Sequence, residues 1–173
     1  SKHSWPIQRG FEQYYGFLEA LTNFHHPHRM YEGNSVVAID KYPDDYYLTD
    51  DLTNRAVRMI KEVKTANPEK PFFLYFGHGA VHAPLHAKKS DIAKYRGRYR
   101  GGWDELRRSR YARQVSMGLI DPKWPLPPAD VKSYDWSQAN QDWEDLRMAT
   151  YAAMVDRMDQ NIGRVLQTLK ELG

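Results

Sequence analysis

The chain has 173 residues, a formal net charge of +3 and a mean hydropathy of −0.78. Hydrophobic residues make up 41% and charged residues 27%, which excludes wholesale disorder. No run approaches the roughly 18 apolar residues of a membrane-spanning helix, so no membrane span is expected. The absence of Cys excludes disulfides, thiolate metal sites and cysteine nucleophiles within the chain, and leaves the redox compartment unreadable. The length suits one domain or a large piece of one.

Charge is unevenly distributed. Lys88–Arg113 holds ten Lys/Arg against three acids, and Asp130–Gln160 holds seven acids against three bases. Segments of opposite sign tend to pack near each other, so the overall charge says little about partners.

In chain order, residues 1–35 are aromatic and irregular. Val36–Ile39 reads as a short strand, and Tyr42-Pro43-Asp44-Asp45 as a turn. A helix is expected from Asp50 to Lys64, with Thr49 as N-cap and Asp50 and Asp51 at the favourable end of the dipole. Its apolar face would be Leu52, Ala56, Met59, Ile60 and Val63, and Asn67-Pro68 ends it. Phe72-Phe73-Leu74-Tyr75-Phe76 is a continuous apolar run, the pattern of a strand buried on both faces. Gly77–His86 is a loop by its Gly and Pro content. Short and medium helices are expected over Lys88–Tyr95 and Trp103–Met117, separated by Arg96-Gly97 and Gly101-Gly102. Asp121–Asp135 is Pro-rich and irregular. The longest helix is expected from Asn140 to Leu172, with a stripe of Tyr151, Met154, Val155, Met158, Ile162, Val165, Leu166 and Leu169.

Helix followed closely by buried strand is the rhythm of an α/β protein. A strand apolar on both faces needs neighbours on both edges, and the chain supplies one convincing strand and one weak one. The expectation is an internal segment of a larger α/β protein. A mostly helical domain with a small edge sheet is the alternative.

Ligands of open α/β sheets bind beyond the carboxyl ends of the strands, which is where His78, His82 and His86 follow Phe76. Their spacing of four would align metal ligands on a helix, but Gly77, Gly79 and Pro84 argue against that helix. A single His that gives a proton or binds an anion fits better, beside the plain reading of a His that satisfies loop carbonyls. His25-His26-Pro27-His28-Arg29 lines a cleft, contributes to a metal site or is an exposed loop. Lys88–Arg113 interleaves Tyr95, Tyr99, Trp103 and Tyr111 with cations, as a single-stranded nucleic-acid groove would. Pairing of Asp104 and Glu105 with Arg108 at helical spacing favours a solvated cationic helix instead, so no nucleic-acid partner is expected. Asp44-Asp45 and Asp50-Asp51 are accounted for by turn and dipole chemistry. Asp156 and Asp159 interrupt the last helix's stripe and are expected to pair with Arg157 or Arg164.

Several phrases together resemble one family. Trp5–Phe17, with Arg9-Gly10-Phe11 and Tyr15-Gly16-Phe17, resembles the "RGFD-x-FYG" passage of type I sulfatases, the arylsulfatase-like branch of the alkaline phosphatase superfamily. Tyr46–Asp50 with its helix, Lys70–His86 ("KPFFLY…PHxP"), Lys94–Asp104 and Ala149–Arg164 follow in family order. The resemblance spans nearly the whole chain. It implies an α/β chain, part of an alkaline phosphatase-like three-layer fold with one core strand and several helices, in which residues 1–173 are the central segment of the catalytic domain. It implies a sulfuric ester hydrolase acting on a sulfate-ester small molecule or a sulfated glycan. His82 matches the His of the "PHxP" loop, which in the family contacts the sulfate and gives a proton to the leaving alcohol. His78, His86 and His25 would border the substrate, as would Tyr99–Trp103. The family's formylglycine, made from Cys or Ser in C/S-x-P-x-R, and its Ca²⁺, held by Asp and Asn residues, match no motif in this chain, and the adjacent Lys2-His3 departs from the K-x-H spacing. Nucleophile and metal ligands are therefore expected outside residues 1–173, with no metal ligand inside and the segment inactive alone. The family leans toward a periplasmic or secreted setting. A phosphoesterase or phosphonate hydrolase of the same superfamily, and a non-catalytic polyanion-binding domain, are the alternatives.

Overall fold

A computed structural model describes residues 2–129 and 135–173. Part of the Pro-rich stretch expected over Asp121–Asp135, and the start of the acidic run, lie outside the described residues. Helix α1 spans Leu48–Ala66, α2 Lys89–Ala93, α3 Trp103–Ser116 and α4 Gln141–Leu172, with three 3₁₀ turns at Lys2–Ser4, Pro6–Arg9 and Trp136–Gln138. Strands β1 (Tyr15–Gly16), β2 (Tyr31–Glu32) and β3 (Ser35–Val36) form one antiparallel sheet in the order β1-β2-β3. Gly33, at φ +58°, makes the tight turn between β2 and β3. No helix among the described residues is long and apolar enough to cross a membrane.

All four expected helices form. Helix α1 begins two residues before the expected start and takes Tyr47, not Thr49, as its N-cap, without a side-chain cap bond. The Leu48 N–H donates to the Phe24 carbonyl at 2.8 Å, so a neighbouring segment satisfies an amide that a cap would otherwise serve. At the other end Asn67 caps onto Val63, as Asn67-Pro68 implies. The Asn140 side chain accepts the Trp143 N–H and opens α4.

The core lies where α1 and α4 cross, with segment 22–30 and Ala87 closing it. Phe24, Met30, Tyr47, Leu48, Leu52, Ala153 and Met154 form one buried cluster. Each large side chain buried there contributes about 1.5–3 kcal/mol. Ala149 and Ala153 let the two helices approach closely.

Two expectations are corrected. Phe72–Phe76 forms no strand, and the short strands fall earlier, with β3 sharing only Val36 with the expected Val36–Ile39. Phe73 and Tyr75 are 79% and 76% exposed, whereas Leu74 and Phe76 are half-buried. The run packs one face and leaves the other bare, because no described strand lies beside it to take its backbone groups. The expected stripe of α4 also faces outward over much of its length: Tyr151, Val155, Ile162, Leu166 and Leu169 are exposed. The buried face keeps Met154 and Val165 of that stripe and is otherwise small and polar, with Ala149, Ala153, Arg157 and Asn161.

Polar contacts replace the missing apolar ones. Asn161 donates to Asp50 at 2.7 Å, Arg157 pairs with Asp91 at 2.7 Å, and Lys88 pairs with Asp50 at 2.7 Å. Asp156 pairs with Lys94; Arg157, the next helix position, points elsewhere and pairs with Asp91, and Arg164, about two turns on, reaches Asn54 and Asn161 instead. The pairs expected between Asp104 or Glu105 and Arg108 do not form.

Candidate functional site

The loop Gly77–His86 is held from below. Gly79 lies against the rings of Phe17 and Phe24, so close that a Cβ would sit 3.4 Å from each. Ala80, Val81 and Leu85 pack on the core cluster. The His82 N–H donates to the Gly79 carbonyl at 2.9 Å, a turn that lifts the His82 side chain into solvent. His82 Nδ1 lies 2.7 Å from the Ala83 carbonyl oxygen. A carbonyl only accepts, so Nδ1 carries the hydrogen and the ring is oriented by its own backbone. Nε2 makes no hydrogen bond among the described residues and is the atom presented outward.

His86 and His25 come together, with ring centroids 6.1 Å apart. The Phe24 N–H donates to His86 Nδ1 at 3.4 Å, and Tyr47 Oη donates to the His86 carbonyl at 2.8 Å. His25 Nδ1 donates to the Tyr46 carbonyl at 3.1 Å. Burial, with the neighbouring His25, pushes the His86 pKa below its ordinary value. These contacts tie segment 22–28, the His82 loop and the start of α1 to one another. Among the described residues, His82 makes no ring contact with the other histidines.

His78 sits differently from His82. Its ring meets the Phe76 ring at a tilt, centroids 4.4 Å apart, and among the described residues neither ring nitrogen has a hydrogen-bond partner. Burial lowers its pKa, so it is neutral in the fold.

The basic, aromatic stretch after α2 is organised by an acid that the residue pattern did not single out. Asp145 accepts the Gly97 N–H at 2.8 Å, the Tyr99 N–H at 3.0 Å and Arg96 at 2.7 Å. Asp142 binds Arg96 and Arg100 beside it. Trp103 meets Trp136 edge-on, and Trp136 Nε1 donates to the Arg100 carbonyl. Asp91, Asp145 and Asn161 were not legible as key residues, since a single acid or amide on a helix carries no pattern; their only signal is polarity on α2 and α4. A cleft of about 510 Å³ opens between the start of α1 and α4, lined in part by Asp50, Lys88, Arg157 and Asn161. Those charges are paired with one another, and His82 is not among its walls.

Among the described residues no three His, Asp or Glu side chains come together as metal ligands. The sequence model of the Sulfatase family matches residues 1–173. The chain belongs to the sulfatase family. An uncharacterized sulfatase of Schizosaccharomyces pombe is 38% identical over 98% of this sulfatase-family chain and 33% of its own length. An arylsulfatase of Klebsiella aerogenes is 30% identical over 97% of the chain and 38% of its own length. The chain thus spans about a third of the length of these curated relatives. The crystal structure of Ps i-CgsB superposes on 99% of the chain and 31% of its own, with TM-score 0.58 and 23% identity. The same protein in complex with k-i-k-neocarrahexaose gives 0.57. The helices and small sheet are therefore part of the alkaline phosphatase-like α/β fold of this family.

Proposed function

We propose that residues 1–173 are the central segment of the catalytic domain of a sulfuric ester hydrolase, with His82 at the substrate. The observation that carries this reading is the His82 ring: Nδ1 is fixed by the Ala83 carbonyl and Nε2 faces outward from a loop packed on the core. Membership of the sulfatase family and the arylsulfatase relatives support the reaction class.

The family's formylglycine and Ca²⁺ do not fit the residues present. There is no Cys, no Ser stands in an S-x-P-x-R pattern, and Asp50, Asp91 and Asp145 are each bound by Arg or Lys. No step is routed through either group, and we assign both to residues outside this chain. What this chain supplies is a proton and a contact. With a hydrogen on Nε2, His82 donates to a sulfate oxygen or to the ester oxygen. As a nucleophilic oxygen from outside this chain bonds to sulfur and the S–O ester bond breaks, the electron pair of that bond stays on the alcohol oxygen, which takes the Nε2 proton and leaves the ring neutral. The substrate is a sulfate-ester small molecule or a sulfated glycan. The complex of Ps i-CgsB with k-i-k-neocarrahexaose, together with the exposure of His82, supports an oligosaccharide.

The test is a leaving-group series in the full-length protein. His82→Ala is expected to lower kcat about 10²–10⁴-fold on sulfate esters of poorly acidic alcohols. The loss should be much smaller on 4-nitrophenyl sulfate, whose phenolate leaves unprotonated. Equal losses on both would remove the acid role, and faster turnover of 4-nitrophenyl phosphate than of the sulfate would favour the phosphoesterase alternative.

A further inference from the structure

His86 is four residues beyond His82 and bonds through the nitrogen that an added proton would occupy. A main-chain N–H can only donate, so the Phe24 N–H requires an unprotonated Nδ1 on His86. The hydrogen of the neutral ring is therefore on Nε2. Protonation adds the second hydrogen at Nδ1 and removes the bond to Phe24. It also places a cation beside His25, whose Nδ1 is occupied by the Tyr46 carbonyl and whose ring is 6.1 Å away.

The surroundings offer no compensating anion. From the start of α1 comes the Tyr47 phenol, whose pKa is pushed up to about 12 and which stays neutral while donating to the His86 carbonyl. From the loop itself comes Lys88, 5.9 Å over the Tyr47 ring. The acid of α1 that lies nearest in this chain of contacts, Asp50, is held by Lys88 at 2.7 Å and by Asn161. From segment 22–28 come Phe24, which meets His86 edge-on, and His25.

We propose that His86 is a positioning residue that clamps the His82 loop to segment 22–28 only while its ring is neutral, with His25 as the neighbour that opposes its protonation. Its bearing on catalysis rests on the role proposed for His82. Its bearing on loop order does not. Joined through His86, the loop and segment 22–28 share Phe24, whose ring supports Gly79 from below. A loop freed from this contact keeps its own Gly79–His82 turn but loses one of the ties that fix where the turn presents His82.

The experiment is hydrogen exchange of the full-length protein without substrate, from pH 7.5 to 5, corrected for intrinsic exchange. Opening of segments 22–28 and 77–87 is expected to rise as pH falls below 6.5, the ordinary His value, by at most about tenfold per pH unit, and to level off at the lower folded value. His86→Gln, whose amide oxygen accepts the same N–H without titrating, should reduce that rise to the part that His78, in the same loop, contributes in 77–87, and remove it in 22–28. In the wild type, ¹⁵N shifts should show an unprotonated Nδ1 at His86 and a protonated Nδ1 at His25 and His82. Exchange independent of pH, an unchanged rise in His86→Gln, or a protonated Nδ1 on His86 at pH 7.5 would each overturn the clamp. A protein with this exchange behaviour that hydrolyses no sulfate ester would confirm the clamp and overturn only the functional reading.

Discussion

Asn161 and Asp50 are 111 positions apart, and the Asn161 amide donates to the Asp50 carboxylate at 2.7 Å. This bond crosses the α1–α4 interface. Asn161 is 1% exposed, and its amide also reaches the Arg157 carbonyl while its oxygen accepts from Arg164. Asn161→Ala would remove a donor from a half-buried acid already held by Lys88. It should cost about 1–3 kcal/mol. Urea denaturation at pH 7 checks this, and a midpoint equal to the wild type would show that the interface rests on its apolar contacts alone.

Asp145 is fully buried, and two main-chain amides and Arg96 converge on it. Asp145→Ala would strand those donors and should cost about 3–5 kcal/mol. Burial opposes its charge, but the Gly97 and Tyr99 amides and the Arg96 and Arg100 guanidiniums outweigh that and hold its pKa below 3.8. The unfolded chain then binds a proton before the folded one does. The resulting stability is fully present above pH 3.8 and is lost as pH falls through the lower folded value. A stability profile from pH 5 to 2 should be shallower in Asp145→Asn; a profile parallel to the wild type would contradict the assignment.

Gly102 precedes α3 at φ +85° and ψ 173°, a region essentially reserved for glycine. A Cβ there would lie 2.9 Å from the Trp136 ring. Gly102→Ala should therefore cost about 1–3 kcal/mol and loosen the edge-on Trp103–Trp136 contact. Thermal unfolding and tryptophan fluorescence report the two effects, and a variant matching the wild type in both would show that this turn relaxes freely.

His78 is a polar ring with nothing to bond. His78→Phe keeps the shape and removes the unsatisfied nitrogens, so stability at pH 7 should be retained or rise by about 1 kcal/mol. Its lowered pKa makes the wild type lose stability as pH falls below 6.5, toward the folded value, because the unfolded chain charges first. That slope should be shallower in His78→Phe. Strong destabilisation of the variant would mean that the ring nitrogens do have partners in solution.

The residues alone determined much of this. The four helices are local: periodicity, acids in the first turn and Asn67-Pro68 act within a few positions, so α1 to α4 fall close to where they are expected. The loop character of Gly77–His86 is equally local, and His82 stands out through the order of phrases around it. Tertiary structure decided what depends on distant partners. Periodicity reveals an apolar stripe on α4 without saying what meets it, and the face bearing Ala153 and Asn161 meets α1 because small side chains and the Asp50 bond allow close approach. Phe72–Phe76 has the composition of a core strand, but a strand exists only through neighbours, and none pairs with it among the described residues. The meeting of His86 with Phe24 and His25, about sixty positions earlier, is likewise set by the packing of two loops on Tyr47. A one-dimensional pattern carries no term for such a contact, since its energy comes from groups that only the fold brings together.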